Sequence, residues 1–509
     1  MKENRRIFLE RASKISLGLC LCPGFVLPGT WAVPASTEKK IPMIGIQMGP
    51  HSFYDEGIDR VLDFLQQEAA VNTLMIYSHT YYDAGSRPLH VLAGDHGVAP
   101  RNENRSNLTR VWVRHHDQYF RDTCLRHHTP DEHFEYSGKD LFEEIRAPAA
   151  ARAMKVFARI LEVSAGNGLK YIENFDRVLT RDIFGNPGGG PCWNHPDYRR
   201  WIYGTIDDMF HHYPLDGIQY GAERTGPLSR LLFQGIIPDC FCEHCCAINT
   251  ARNIDPERAR EGYTQLYAYI KKVESDEDRS PESVMVNILR FLQQYPELLA
   301  WNYQWFRADE EIHQELYARI RRIQPKAVVG RHVDHQRSSW DIFYRSAVTY
   351  EEMTESADFI KPILYHDIYG PRLRWWVIER MGDRALRDLP REQALDLFYA
   401  WMGYSQEARV ALAELDQKGM GPAYVYDETR RCVEGVKGKA EVIAGIGIDV
   451  PWHAPGGLQP FPSDPEKLQQ AVFKAAEAGA DGLLASREYD EMRHSSLRAF
   501  GSAAMSAFL

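Results

Sequence analysis

Short apolar segments alternate with longer segments of helical periodicity along most of the chain. The short runs predict buried strands, and apolar positions three and four residues apart predict amphipathic helices. The predicted strands are residues 43–48, 73–77, 170–174, 217–220, 327–333, 359–365, 442–448 and 482–485. The clearest predicted helices are residues 58–68, 147–164, 198–210, 310–323, 391–402 and 465–478. Eight such units predict an α/β fold, a closed (β/α)8 TIM barrel.

A doubly wound open sheet is the alternative arrangement of the same elements. That fold would more often begin with a glycine-rich phosphate loop after the first strand. The first predicted strand is followed by Gly49-Pro-His51 and lacks such a loop. The barrel is therefore the preferred prediction.

Two predicted connections are much longer than the rest. Residues 81–146, after the second strand, are polar and rich in His and Arg, as long active-site loops often are. Residues 254–305, after the fourth strand, have a helical pattern. We expect both to be insertions in one barrel domain that spans residues 41–509.

The N-terminal residues resemble a twin-arginine export signal. Arg5 and Arg6 precede Phe8 and Leu9, and an apolar stretch over residues 15–26 leads to small residues ending at Ala35. This order predicts a leader over residues 1–35 and a periplasmic or secreted protein. An ordinary amphipathic first helix is the alternative. No later run is long and apolar enough to cross a bilayer, so we expect no stable membrane anchor.

The overall composition narrows the class of partner. The chain has 509 residues, 44% of them hydrophobic, and a formal net charge of -10. A large core is within reach, but a sustained basic stripe that would neutralise phosphates is missing from the sequence. We therefore expect no nucleic-acid partner.

Polar and charged residues follow the predicted strands, and aromatic residues accompany them. The charged and amide residues at these ends include Glu173, Asn174, Glu223, Arg224, Arg331, His332, Asp334, His366, Asp367, Asp449, Arg487 and Glu488, and the nearby tryptophans are Trp193, Trp340, Trp375, Trp376 and Trp452. Strand ends of a parallel barrel converge on one face. Carboxylates beside indole faces suit a carbohydrate, whose rings offer hydroxyls and an apolar C–H face. The alternative is that a barrel mouth is polar simply because it meets water.

A cluster of cysteines follows the fourth strand, in the segment Cys240-Phe-Cys242-Glu-His-Cys245-Cys246. Thiolates separated by one and two residues suit a tetrahedral zinc ion better than a disulfide. A chain of this length has little need of a disulfide framework. Buried, unpaired cysteines are the alternative.

This cluster resembles the Cys-aromatic-Cys-x-x-Cys zinc clip of glycoside hydrolase family 42 β-galactosidases, which follows their strand-four acid/base. The upstream segment Cys192-Trp-Asn-His-Pro-Asp-Tyr-Arg also resembles that family's further cysteine segment. The resemblance covers residues 171–247 and is only architectural elsewhere. It implies a structural zinc bound by Cys192, Cys240, Cys242 and Cys245, with Cys246 as a spare ligand.

The chain also departs from that family. Ala222-Glu223 replaces the family's Asn-Glu pair, and Asp449 stands where the family has a Glu nucleophile. The resemblance therefore does not imply β-galactosidase specificity. Our leading hypothesis is an exported glycoside hydrolase with Glu223 as general acid/base and Asp449 as nucleophile or water-activating base. Asp367 and Glu488 are reserve candidates for the second carboxylate.

We expect the remaining strand-end residues to bind substrate. They are Glu173, Asn174, Arg224, Arg331, His332, Asp334, His366, Trp452 and Arg487. A metal-dependent sugar isomerase, epimerase or lyase is the rival hypothesis, with an ion held by Glu173, Glu223, His332, Asp334 and His366. A glycan-binding barrel without catalysis is the third. Oligomeric state is not readable from the sequence.

Overall fold

Eight parallel strands form a closed barrel, which confirms the predicted fold class. The computed structural model describes residues 41–81, 95–98, 108–128, 132–454, 457–459 and 461–509. The strands are β1 (Ile44–Met48), β2 (Thr73–Tyr77), β3 (Lys155–Leu161), β4 (Gly217–Gly221), β5 (Val328–Val333), β6 (Phe359–Leu364), β7 (Glu441–Gly447) and β8 (Gly482–Ser486). They are hydrogen-bonded in sequence order around the barrel, and Ile44 pairs with Leu483 of β8 to close it. The predicted leader and part of the 81–146 insertion lie outside the described residues.

Helices connect the strands and surround the barrel. In chain order, the α-helices are His51–Glu56, Ile58–Gln67, Leu141–Glu144, Arg146–Ala151, Ala165–Tyr171, Pro196–His212, Pro227–Gln234, Glu243–Ala251, Pro256–Glu274, Val284–Gln294, Glu297–Ile323, Ile342–Ala347, Tyr350–Met353, Tyr369–Leu373, Arg391–Met402, Leu415–Lys418, Gly421–Val436, Pro465–Glu477 and His494–Phe508. Three two-stranded antiparallel sheets lie outside the barrel, pairing Arg126–His127 with Ile172–Glu173, Leu179–Arg181 with Pro187–Pro191, and Trp452–Ala454 with Gly457–Gln459. No helix among these described residues is both long and apolar enough to span a membrane.

Several helix starts can be read directly from the sequence. His195, Asp255 and Asp464 each precede a proline, and each side chain accepts a hydrogen bond from a backbone N–H of the first helical turn. Proline fits the first helical position because its missing N–H has no intrahelical partner there. Such starts explain why the helices that begin at Pro196 and Pro465 agree closely with the predictions.

The third strand is the main error of the sequence prediction. Residues 170–174 were expected to form it, but they include the end of the helix Ala165–Tyr171, and the strand is Lys155–Leu161. This strand lies inside the segment 147–164 that was predicted as a helix. Lys155 and Arg159 interrupt its apolar pattern, so it resembles an amphipathic continuation of the preceding alanine-rich helix.

The interior of the barrel has an apolar layer below a polar one. Met75, Phe157, Phe359, Ile443 and Leu484 form a separate buried apolar cluster. Because side chains alternate along a strand, residues two positions farther along also point inward. That next layer is polar and buried, and includes Gln47, Arg159, Gln219, Lys361 and Ser486. A polar floor therefore supports the mouth formed by the carboxyl ends of the strands.

Candidate active site

A cavity of about 410 Å³ opens at the carboxyl ends of the barrel strands. Glu223 lies two residues beyond β4, whereas Asp334, Tyr365 and Arg487 directly follow β5, β6 and β8. Among the residues that the structure describes, the lining comprises these four with His335, Gln336, Trp340, Ile363, Arg372, Trp375 and Trp452. Side chains from four separate strands thus converge on one volume, which is large enough for a small ligand.

Glu223 presents an ionised carboxylate to this cavity. Its side chain is 47% exposed, and its Oε1 accepts a hydrogen bond from Nε2 of His332 at 2.9 Å. Burial lowers the pKa of His332 to about 4, so this imidazole is neutral at pH 7. Enclosure raises the pKa of Glu223, but the hydrogen bond from His332 and nearby arginine charges outweigh it and lower that pKa to about 2.

Asp334 has the opposite electrostatic environment. Its residue is only 3% exposed, and burial followed by the charge of Glu223 raises its pKa well above the usual carboxyl value. The charge of Arg337 and its backbone N–H, 3.1 Å from Asp334 Oδ1, act in the other direction without cancelling that rise. The cavity therefore holds one carboxyl group whose pKa is lowered and one whose pKa is raised, the kind of difference by which acid and base roles are separated.

Aromatic rings contribute to the lining of the cavity. Trp340 and Trp375 lie in two π-helical segments, Gln336–Trp340 and Arg374–Met381, a geometry frequent at functional sites. The guanidinium of Arg380 lies 3.5 Å from the ring centroid of Trp375, and Trp340 stacks on Trp376 at 5.1 Å. These contacts fix the indole planes, so each wall is preorganised for the apolar face of a ligand.

Arg487 is held in an unusual backbone conformation at the edge of the cavity. Its φ is +133°, a region that residues other than glycine rarely adopt. Its backbone N–H donates to Oε1 of Gln47 at 3.1 Å, and its Nε lies 2.6 Å from a carboxylate oxygen of Glu491. Strain of this kind persists where the surroundings fix it, commonly at functional sites.

Asp449 does not have the predicted role of second carboxylate. Its Oδ1 accepts from the backbone N–H of Ser463 at 2.8 Å, from Ser496 and from the Arg493 guanidinium, and its Oδ2 accepts the backbone N–H of Arg493 at 2.7 Å. Among the residues that the structure describes, it is not part of the cavity lining. With both oxygens engaged and its residue 5% exposed, Asp449 joins the loop after β7 to the segment after β8.

The reserve carboxylates also lie outside the cavity lining of the described chain. Glu488 is buried, and its Oε1 accepts from Nη1 of Arg159 at 2.8 Å. Asp367 lies beside the fully buried His366, with 3.4 Å between Oδ1 and Nε2. Neither Glu488 nor Asp367 therefore faces Glu223 across the cavity as a catalytic partner.

The other predicted binding residues divide into two groups. Asp334, Trp452 and Arg487 line the cavity, and His332 contacts it through Glu223. His366, Arg224, Arg331, Glu173 and Asn174 do not line it within the described ranges. Two causes explain three of these differences. Glu173 and Asn174 were assigned to a third strand that lies elsewhere in the chain, and Arg331 points outward because side chains alternate along β5.

Arg331 and Arg224 are bound by carboxylates elsewhere. Arg331 is fully buried and forms a bidentate pair with Glu310 of the helix Glu297–Ile323. Arg224 lies over the Trp193 ring at 3.9 Å, and its Nε is 2.7 Å from Oε2 of Glu162. Glu162, which directly follows the true β3, was missed because that strand was read as helix.

Seven cavity residues were not predicted as binding residues: His335, Gln336, Trp340, Ile363, Tyr365, Arg372 and Trp375. His335 and Tyr365 had a usable signal, because both come at the ends of predicted strands. Gln336 and Arg372 follow farther along helical turns, whose position the sequence does not show. Of the five tryptophans noted near strand ends, Trp340, Trp375 and Trp452 line the cavity.

The predicted cysteine cluster is confirmed. One sulfur atom from each of Cys192, Cys240, Cys242 and Cys245 lies within 4.8 Å of the others, and Cys192 Sγ is 3.5 Å from both Cys242 and Cys245. A tetrahedral zinc with Zn–S of about 2.3 Å separates its sulfurs by roughly 3.8 Å, so the set fits such an ion. Cys246 is not part of it, and its Sγ contacts the Phe241 carbonyl.

Polar donors surround these sulfurs. The backbone N–H of Arg181 lies 3.3 Å from Cys240 Sγ, and Nδ2 of Asn194 lies 3.4 Å from Cys245 Sγ. Such donors orient and stabilise thiolate ligands. The cluster connects the segment after β3 with the segment after β4, close to Arg224 and therefore next to the loop that carries Glu223.

Comparisons with known proteins give a distant architectural likeness. No protein-family model matches the chain, and no curated protein matches it. Similar solved structures include alpha-L-fucosidase isoenzyme 2 from Paenibacillus thiaminolyticus, 12% identical, covering 92% of this chain and 49% of that one, at a TM-score of 0.45. A beta-galactosidase from the Antarctic haloarchaeon Halorubrum lacusprofundi is 12% identical, covering 91% and 57%, at 0.49.

A third similar structure is the catalytic domain of the beta-amylase from Paenibacillus polymyxa, 10% identical, covering 92% of this chain and 99% of that one, at a TM-score of 0.46. The chain spans about half of the fucosidase and somewhat more of the beta-galactosidase. Likenesses this distant carry no argument about activity. The chemistry of this chain follows from its own cavity.

Proposed function

We propose that the protein is a glycoside hydrolase whose reaction takes place in the cavity at the barrel mouth. The observation that carries this proposal is the pairing of Glu223, whose pKa is lowered to about 2, with Asp334, whose pKa burial raises well above the usual carboxyl value, in a volume of about 410 Å³ lined with aromatic rings. Cleavage of a glycosidic bond needs one group of each kind. The indole faces of Trp340, Trp375 and Trp452 suit the apolar side of a sugar ring.

The two carboxyl groups then have defined roles. Asp334 donates its proton to the leaving oxygen as the bond from that oxygen to the anomeric carbon breaks. Glu223 either attacks the anomeric carbon or removes a proton from the attacking water, whose oxygen ends on that carbon. This assignment replaces the expectation that Glu223 is the acid, because a carboxyl with a pKa of about 2 has no proton to donate at pH 7.

His332 positions Glu223 for this role. Its Nε2–H donates to Oε1 and leaves Oε2 to act on substrate or water. The mutual orientation is fixed because His332 is 1% exposed and lies on the inward face of β5. Arg487 and Gln336, which line the same volume, supply N–H donors for substrate hydroxyls.

Two substitutions with matched controls test the proposal on a panel of aryl glycosides and oligosaccharides. Glu223→Gln should lower kcat/KM by roughly 10²- to 10⁴-fold across the panel, the usual contribution of a nucleophilic or proton-transfer group. Asp334→Asn should lower it by a similar factor on oligosaccharides and on aryl glycosides with weakly acidic phenols, which need proton donation. Glu173→Gln and Asp367→Asn make the same chemical changes outside the cavity and should retain turnover. Wild-type rates in both cavity variants would remove the assignment.

The rival reading is a metal-dependent isomerase, epimerase or lyase. Among the described residues, the groups of ligand atoms that converge closely enough for a metal do not include Glu223, His332 or Asp334. The geometry therefore favours hydrolysis. Turnover that requires an added divalent ion would favour this rival function, provided that the Glu223→Gln variant no longer binds the ion. Tight glycan binding without turnover would instead favour a purely binding barrel.

We also propose a structural zinc ion in the cysteine cluster. Four thiolates complete the tetrahedron and leave no position for a substrate, so the ion would hold the segment beside Arg224 rather than react. Cys242→Ser should lose one equivalent of zinc and unfold at a lower temperature, whereas Cys246→Ser should keep both properties. Equal zinc content in the two variants, measured by elemental analysis, would exclude this site.

Export is a further proposal, supported by the sequence of residues 1–35 alone. Replacing both Arg5 and Arg6 with Lys should retain the protein in the cytoplasm, because the paired arginines are the feature that the export receptor reads. Fractionation of cells that express the full chain tests this. Unchanged export of the double variant would contradict it.

A further inference from the structure

Three histidines that the proposed reaction does not use converge beside β2. His79 comes two residues after that strand, and His115 and His127 belong to the connection between β2 and β3. One ring nitrogen from each lies within 4.8 Å of the other two. Nε2 of His79 and Nε2 of His115 are 3.2 Å apart. None of the three is part of the cavity lining described above.

The outer nitrogen of each ring has a polar neighbour. Nδ1 of His79 lies 2.9 Å from Ser78 Oγ, and Nδ1 of His127 is hydrogen-bonded to the Tyr81 hydroxyl. Nδ1 of His115 lies 3.8 Å from a carboxylate oxygen of Asp208, beyond hydrogen-bond distance, and has no hydrogen-bond partner among the described residues. If each Nδ1 carries the proton, each Nε2 lone pair is left for a common partner. Hydroxyl and carboxylate neighbours are the groups that orient metal-bound imidazoles.

A histidine cluster without a metal leaves an unexplained group. A hydrogen bond between His79 and His115 accounts for their 3.2 Å contact. It does not account for Nε2 of His127, a buried atom with no hydrogen-bond partner among the described residues. Burying an unpaired polar nitrogen is unfavourable. The rings of His115 and His127 stack with 3.6 Å between their centroids and 18° between their planes. Coordination of one ion by all three rings would therefore require a turn of one of them, and would then satisfy this nitrogen.

We propose that His79, His115 and His127 bind a divalent first-row transition metal ion, such as zinc, at a site separate from both the cavity and the cysteine cluster. Imidazole nitrogens are suitable ligands for such ions. Nitrogens about 2.0–2.1 Å from a tetrahedral ion lie roughly 3.3 Å apart, close to the spacing of His79 and His115. Three protein ligands leave a fourth position for water or another small ligand.

The surroundings favour tight binding at this site. His79 is 3% exposed. The Phe120 ring lies 5.5 Å from that of His115 and 5.1 Å from that of His127, and Trp201 lies 5.3 Å from His127. His115 keeps 17% of its side chain exposed, so these rings cover the site only in part and leave access to the fourth position. The ion would cross-link the end of β2 with two positions in the long connection that follows it.

Cobalt(II) titration of the metal-free full-length protein distinguishes this site from the cysteine cluster. Cobalt bound by thiolates shows sulfur-to-metal charge-transfer absorption, whereas cobalt bound by imidazoles shows only ligand-field bands. We expect the wild-type protein to bind an equivalent without charge transfer. That equivalent should disappear in His79→Gln and in His127→Gln, and remain in His211→Gln, a matched change of an exposed histidine.

The cysteine variant separates the two metal proposals. Cys242→Ser should abolish the charge-transfer band and leave the imidazole-bound equivalent unchanged. Saturation of the wild-type protein with only thiolate-bound cobalt would overturn the proposal, and so would retention of the second equivalent in both histidine variants. The wild-type titration decides the question even if a histidine variant does not fold.

Discussion

Glu223 and Asp449 are two carboxylates that the sequence places after strands of one barrel, yet their surroundings differ. Glu223 keeps 47% of its side chain exposed and has one close donor, His332. Asp449 is almost fully buried and receives backbone and side-chain donors on both oxygens, including the charge of Arg493. A carboxylate needs free lone pairs to act on a ligand. Only Glu223 has them.

The difference shows that position after a barrel strand is necessary but not sufficient. The carboxyl group that pairs with Glu223 is Asp334, which follows the neighbouring strand β5. The charge of Glu223 contributes to the raised pKa of Asp334. Asp449 instead serves the fold by joining segments that are 14 and 44 residues apart in sequence. The acids that we propose as reactive therefore follow the adjacent strands β4 and β5 rather than β4 and β7.

Asp449→Ala gives the largest expected effect on stability. The change removes the acceptor of the Arg493 guanidinium and of the backbone N–H groups of Ser463 and Arg493. We therefore expect the free energy of unfolding to fall by about 3 kcal/mol. Urea denaturation measures it, with the Asp367→Ala variant as control. The folded fraction should keep wild-type kcat. A loss of turnover at wild-type stability would place Asp449 in the reaction instead.

His332→Leu should change the pH dependence of turnover. Removing the hydrogen bond takes away the main influence that lowers the pKa of Glu223, while burial, which raises it, remains. The acid limb of the kcat/KM profile should therefore move to higher pH. Ser496→Ala, which alters a neighbour of Asp449, should leave this limb in place. An acid limb that stays in place in His332→Leu would mean that ionisation of Glu223 does not control kcat/KM.

Trp375→Ala should weaken substrate binding. Arg380 lies over this indole, 3.5 Å from its ring centroid, and the residue lines the cavity. Loss of a stacking surface worth about 1 kcal/mol should raise KM between fivefold and roughly tenfold with little change in kcat. Trp375→Phe should restore much of the affinity. An equal KM in the alanine variant would mean that the substrate does not reach this wall.

The smallest expected effect is a change in how stability depends on pH, and Asp334→Asn tests it. Above about pH 4 the unfolded chain releases the Asp334 proton, but the folded protein keeps it because burial and Glu223 raise its pKa. The unfolded state then binds fewer protons, so wild-type stability falls as pH rises towards the folded pKa. The variant should lack this contribution. Thermal unfolding at several pH values checks it, and parallel slopes would contradict the raised pKa.

Much of the fold could be predicted because its signals are local. Seven of the eight strands coincide with short apolar runs, and the cysteine cluster follows from its spacing. β3 could not be recognised because Arg159, a charged residue, points into the barrel. There its guanidinium donates a hydrogen bond to Glu488 and lies over the ring of Tyr77. A charged interior layer contradicts the apolar pattern that identifies buried strands.

The candidate site was only partly predictable for a different reason. Glu223, Asp334 and Arg487 were recognised from their positions after strands. The engagement of Asp449 depends on Arg493, and the raised pKa of Asp334 depends on its burial and then on the charge of Glu223. Contacts between residues so far apart in sequence leave no local pattern. Their roles follow only when the strands are closed into a barrel.

Leaving-group dependence tests the paired roles of Glu223 and Asp334 most directly. An aryl glycoside with a strongly acidic phenol needs little proton donation, whereas one with a weakly acidic phenol depends on it. Asp334→Asn should therefore keep substantial turnover of the first substrate and lose the second, and Glu223→Gln should lose both. Selective retention of the activated substrate by Glu223→Gln instead would make Glu223 the acid and contradict the assignment.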